Sequence, residues 1–174
     1  MTEPKEEKNA VILSIRPEWC RKILLGEKTI EVRKTRPKIY DPFKCYIYCT
    51  LSGSNELFKD ALRGDVALWN SEKWWEKKGN VVGEFICNRI YDYTAFWGFG
   101  SNISEYEILQ RSCLTKEQIK KYENPKVVDG TMYCGVHAWN IEKLVVYDTP
   151  KPLDEFGLIR APQSWAYCKE IAAA

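Results

Sequence analysis

The stretch VILSIRPEWCRKILLGEKTIEVRK, Val11 to Lys34, reads as strand, short helix and strand, and the second strand gathers its charge on one face. Val11–Ile15 is a nearly unbroken apolar run, as suits a strand covered on both faces. Pro17 stands where a helix can begin, because the N–H it lacks would have no partner in the first turn. Between Glu18 and Leu25 the pairs Trp19/Ile23 and Cys20/Leu24 are four apart and share one side of a helix. Gly26 supplies the left-handed residue that closes it. Lys28–Lys34 then alternates with period two. Ile30 and Val32 point one way and Thr29, Glu31 and Arg33 the other, with Lys28 at the mouth of the strand. If Ile30 and Val32 belong to the core, Glu31 and Arg33 project side by side into a polar site.

Outward from this unit, Thr35–Pro42 is a loop punctuated by prolines. Lys44–Thr50 is a strand of aromatic and β-branched types. Residues 51–80 read as a variable insertion holding a short helix and the Trp-rich run Trp69–Trp75. Val81–Tyr93 is the longest strand expected, with Gly83 as a bulge or bend. Tyr91, Tyr93, Phe96, Trp97 and Phe99 follow closely enough to offer a stacking platform for a base. Ser104/Glu107 and Thr115/Gln118 are capping boxes that start helices over 105–113 and 116–122. Met132–Trp139 alternates as a strand, with Val136 and Ala138 opposite His137 and Trp139. Lys143–Tyr147 is another strand, Asp148–Pro152 is extended, and Ala161–Ile171 docks through Trp165 and Tyr167. The sum is an α+β domain of about six strands over residues 10–171, preceded by a polar, disordered tail, residues 1–9.

LLGEKTIEVRK (Leu24–Lys34) and VVGEFICNRI (Val81–Ile90) resemble the ASCH domains, the activating-signal-cointegrator homology branch of the PUA-like superfamily. VYDTPKPLDEF (Val146–Phe156) and RAPQSWAYCKE (Arg160–Glu170) are similar to phage and prophage members in particular. The resemblance spans roughly Ala10 to Glu170. It implies a small, twisted, partly closed β-barrel with peripheral helices. It also implies binding of RNA or other nucleic acid, and in some small bacterial members nucleoside amidohydrolase activity.

The 174 residues carry 26 basic and 24 acidic side chains, a net charge of +2, which excludes a strongly basic non-specific nucleic-acid binder. Any nucleic-acid contact must come from a local patch. No stretch approaches the roughly 18 apolar residues of a membrane span, and Met1–Asn9 has no apolar core of the signal-peptide kind. The seven cysteines, an odd number, are then expected to be reduced and buried in a cytoplasmic protein. No C-x-x-C occurs and His137 stands alone, so no metal and no cofactor is expected.

Three functions compete. In the amidohydrolase pattern a lysine is followed three residues later by a threonine that it activates. Lys28 matches the lysine, but Glu31 stands in the threonine's place, and Thr29 lies on the face opposite Lys28. Lys28 and Glu31 are thus the catalytic candidates if the chain is a hydrolase, either a nucleoside amidohydrolase or a ribonuclease. As a binding site for RNA, another nucleic acid or a modified nucleoside, the same cleft needs less. Lys28, Arg33, Lys34 and Arg36 can meet phosphate, Glu31 can accept from a base amine, and Tyr93, Phe96 and Trp97 can stack. The third possibility is a protein-interaction module acting through Trp69–Trp75.

Overall fold

The computed structural model describes residues 10–52, 78–95, 100–123, 126–128, 130–133 and 135–171, with 126–128 and 131–133 described by backbone alone. The opening unit forms as its pattern predicts: β1 (Ala10–Ile15), α1 (Pro17–Leu24, with Pro17 in its first turn) and β2 (Ile30–Arg33). Gly26 takes φ +74° just past α1. Then come β3 (Phe43–Cys49), β4 (Val81–Cys87), β5 (Ile90–Tyr93), α2 (Glu105–Ser112) and α3 (Lys116–Tyr122). β6 (Lys126–Val128), β7 (Thr131–Tyr133), β8 (Val136–Asn140), β9 (Glu142–Lys151), a 3-10 turn (Leu153–Phe156) and β10 (Trp165–Cys168) complete the order. Both helix caps are present: the Ser104 side chain accepts from Glu107 N, and Thr115 and Gln118 form a reciprocal capping box.

The strands make a five-stranded sheet, β10-β1-β3-β4-β9, a three-stranded sheet, β2-β8-β5, and a ribbon, β6-β7. β1 runs parallel to β3 and antiparallel to β10. The described residues therefore form three separate ladders with no closed barrel, and more strands than the six expected. Two of the expected strands are each divided. Val81–Tyr93 breaks at Asn88-Arg89 into β4 and β5, which belong to different sheets. There the Arg89 carbonyl accepts from Asn140 N at 3.0 Å, handing the chain over to β8. Met132–Trp139 likewise divides around Gly135, at φ +155°. Period two cannot reveal such breaks, because the pattern continues through a change of sheet. β9 runs on through Pro150, which is tolerated on a sheet edge. Of the insertion, only residues 51–52 and 78–80 are described, so Trp69–Trp75 lies outside the described residues.

Three apolar layers follow from this topology. The inner face of the five-stranded sheet (Val11, Leu13, Cys45, Ile47, Phe85) packs with α1 and with Ile90 and Trp139 of the smaller sheet. Ile30, Val32, Tyr93, Val136 and Ala138, on the other face of the smaller sheet, pack against Ile108 of α2 and Ile119 of α3. Phe156 and its neighbours cover the outer face of the large sheet. The six described cysteines are free thiols, five of them buried.

Gly83 is the bend that the sequence suggests. The β4–β9 register shifts between Val81 and Gly83, and a Cβ at Gly83 would lie 2.6 Å from the Val145 carbonyl oxygen. Backbone cannot yield as a side chain can, so Gly83→Ala is expected to cost about 1–3 kcal/mol. Urea unfolding checks this: the midpoint should fall with an unchanged slope, and an unchanged midpoint would mean that β9 sits free of β4 at this point.

Candidate functional site: a buried ion triad between two sheets

Because Ile30 and Val32 face the helices, Glu31 and Arg33 are turned into the space between the sheets. Lys28 reaches the same point from the turn before β2. Its Nζ lies 3.3 Å from Glu31 Oε2, and Arg33 Nη2 lies 3.0 Å from Glu31 Oε1. Each carboxylate oxygen thus already faces one cation. The three residues retain only 2%, 7% and 4% of their exposure, so this is a buried triad rather than the open surface that the sequence suggests.

Further bonds fix the two cations. Lys28 Nζ donates to the Ser112 carbonyl at 2.8 Å, at the C-terminal end of α2 where a helix dipole favours a positive charge. The ammonium also lies 5.4 Å from the Trp19 ring. Arg33 Nη2 donates to the Ser14 carbonyl at 2.9 Å, and Nη1 reaches Ser164 Oγ at 3.4 Å. Burial holds the Lys28 pKa below the ordinary lysine value, with Glu31 offsetting part of that effect. Burial pushes the neighbouring Cys20 thiol upward, aided by Cys49. Lys28 and Arg33 bring two basic groups to the one carboxylate of Glu31, an excess of one positive charge when all three are ionised.

Two donors in this region are buried without a partner among the described residues: Arg33 Nε and Trp139 Nε1. Glu31 is the cross-strand partner of Trp139, and Arg33 that of His137, so all four share one face of adjacent strands. Phe43 meets Trp139 edge-on at 5.7 Å, and Trp165 lies 5.9 Å from it at a tilt. Toward solvent, His137 Nδ1 is 2.7 Å from Asp92 Oδ1, and Arg36 is 4.0 Å from Asp92 Oδ2.

The other sequence candidates divide. Arg36 stands exposed on the cleft side, in a loop held by Trp165 Nε1 donating to Thr35 Oγ1 and Lys38 N donating to Tyr167 Oη. Lys34 turns away, its ammonium 5.4 Å from the Tyr122 ring of α3. Tyr93 also leaves the site: alternation in β5 sends it to the helical side, where its hydroxyl donates to Glu105 at 2.9 Å. Phe96 and Trp97 lie outside the described residues. Thr29 too departs from the face given to it by alternation. The turn before β2 frees it from the strand pattern, and its hydroxyl accepts from Arg111 Nε of α2 at 3.2 Å. Trp139, Trp165, Ser14 and Ser164 are site residues that the sequence did not disclose. Trp139 had one legible signal, its place on the His137 face of β8.

Among the described residues, no group of three or more His, Cys, Asp and Glu side chains could hold a metal ion, and no helix is long and apolar enough to cross a membrane. Neither the protein-family models nor the curated proteins gave a match to the chain. Solved structures did. The ASCH protein of Zymomonas mobilis superposes with a TM-score of 0.57 at 17% identity, covering 92% of this chain and 88% of that one. Its serine-to-alanine variant gives 0.55 at 16% identity, covering 94% and 90%. A tyrosine-to-phenylalanine variant gives 0.54 at 17%, covering 91% and 89%. The chain has the fold of these ASCH structures.

Proposed function

We propose that the chain is a nucleic-acid-binding ASCH domain, of the PUA-like, phage-related kind its motifs resemble, that takes up RNA or a modified nucleoside in the cytoplasm. The observation carrying this reading is the buried triad Lys28–Glu31–Arg33 with its unbalanced positive charge, lying behind an exposed basic loop. A buried excess cation is costly unless something balances it, and a polyanion approaching along Arg36 and Lys38 would do so. The near-neutral charge of the whole chain confines the attraction to this patch.

The hydrolase reading has one observation in its favour, the lowered pKa of Lys28, which suits a proton relay. Against it, Glu31 fills the nucleophile's position and Thr29 is engaged by Arg111. Turnover of an acylated nucleoside, abolished by Lys28→Ala, would establish the hydrolase in place of the binder.

Single-stranded RNA of about ten nucleotides tests the binding reading. The wild type should bind with an affinity that falls as salt rises. Changing the exposed Arg36 and Lys38 together to glutamine should reduce the log–log salt slope by about 1.4, at ~0.7 per phosphate contact on a single strand. A slope unchanged in the double variant would remove this loop from the interface.

A further inference from the structure

The free hydrogen-bonding capacity of the cleft is of one sign. Both oxygens of Glu31 are engaged by cations, at 3.3 and 3.0 Å. Of the buried side-chain atoms without a partner among the described residues, the two that lie in the cleft are donors, Arg33 Nε–H and Trp139 Nε1–H, on side chains that are 4% and 0% exposed. A buried donor without an acceptor is a cost that a folded protein seldom keeps without reason. Arg33 and Trp139 are diagonal neighbours on adjacent strands, two steps apart in the β2–β8 register with the Val32–Ala138 pair between them.

Resting on the binding function above, we infer that the cleft recognises a nucleobase by its ring carbonyl, through Arg33 Nε and Trp139 Nε1, and so prefers lactam-bearing bases to adenine. An exocyclic amine would need an acceptor; Glu31 already serves Lys28 and Arg33, and Asp92 lies farther toward solvent, engaged by His137 and Arg36. The phosphates are met at the exposed loop of Arg36 and Lys38, whose charge suits them, and the neutral carbonyl of a base is left to meet the two buried donors. Trp165, partly buried against Trp139, offers an aromatic face beside the two donors.

Hypoxanthine and adenine differ at the edge in question, one carrying a 6-oxo and the other a 6-amino group. A single-stranded hexamer of adenosine is compared with the same hexamer carrying inosine at two positions, by calorimetric titration. The inosine form should bind about tenfold more tightly, the scale of one net hydrogen bond in a buried site. Trp139→Phe keeps the ring and removes the N–H. It should erase the preference, and the lower unfolding midpoint expected from the smaller core side chain leaves the affinity ratio of the two hexamers as the readout. Arg33→Lys, which keeps the charge and removes Nε–H, should erase it as well, and decides the matter if Trp139→Phe does not fold. Equal affinity for the two hexamers, tighter binding of adenosine, or a preference that survives these substitutions would overturn the inference while leaving the cleft a binding site. No binding of either hexamer would overturn both.

Discussion

Glu31→Gln should destabilise the protein by about 3–5 kcal/mol, because it leaves two buried cations facing each other with no counter-charge. Lys28→Met should do far less, remaining within about 1 kcal/mol of wild type. It leaves Glu31 and Arg33 as a balanced pair and gives up one bond to the Ser112 carbonyl. The contrast matters more than either value, since both substitutions remove one charge from the same triad. Urea unfolding of the three proteins reads it directly. A Glu31→Gln variant as stable as wild type would mean that water or an ion already balances Lys28 and Arg33, and that the triad is less enclosed than its 2–7% exposure indicates.

Much of this site was legible from one stretch of chain, because local chemistry dictates its elements. Pro17 and Gly26 bracket α1, and the alternation of Ile30, Glu31, Val32 and Arg33 assigns each to a face; both readings hold in the fold. Depth was not legible. Whether a charged face meets solvent or a second sheet depends on β8, β10 and α1, which no pattern within Lys28–Lys34 reports. For the same reason Tyr93 was assigned to the site. It is near in sequence to the aromatic loop, but its parity in β5 puts it on the helical face with Ile30 and Val32. Parity could have excluded it had the break at Asn88-Arg89 been visible. The unpartnered N–H groups of Arg33 and Trp139 are a tertiary property altogether, since pairing is decided by elements more than 100 residues apart in sequence.

Binding should fail where the fold survives. Arg33→Met removes the side chain best placed to meet a ligand, yet leaves Lys28 and Glu31 as a balanced pair, so it should fold. The lost contact is charge-assisted and buried, on the scale of roughly 1.5–3 kcal/mol. That corresponds to about a ten- to hundredfold weaker complex. The exposed-loop variant, by contrast, should lose affinity mainly at low salt and approach the wild type as salt rises, because the counterion-release contribution it gives up is largest there.

The measurement that bears most directly on the cleft as the binding site is therefore a titration of wild type and Arg33→Met with the same single-stranded RNA. Circular dichroism and urea unfolding on the same samples establish that both are folded. A folded Arg33→Met protein that binds ten- to hundredfold more weakly is the result expected. A folded Arg33→Met protein that binds as tightly as wild type would contradict the assignment and place the nucleic acid on another surface.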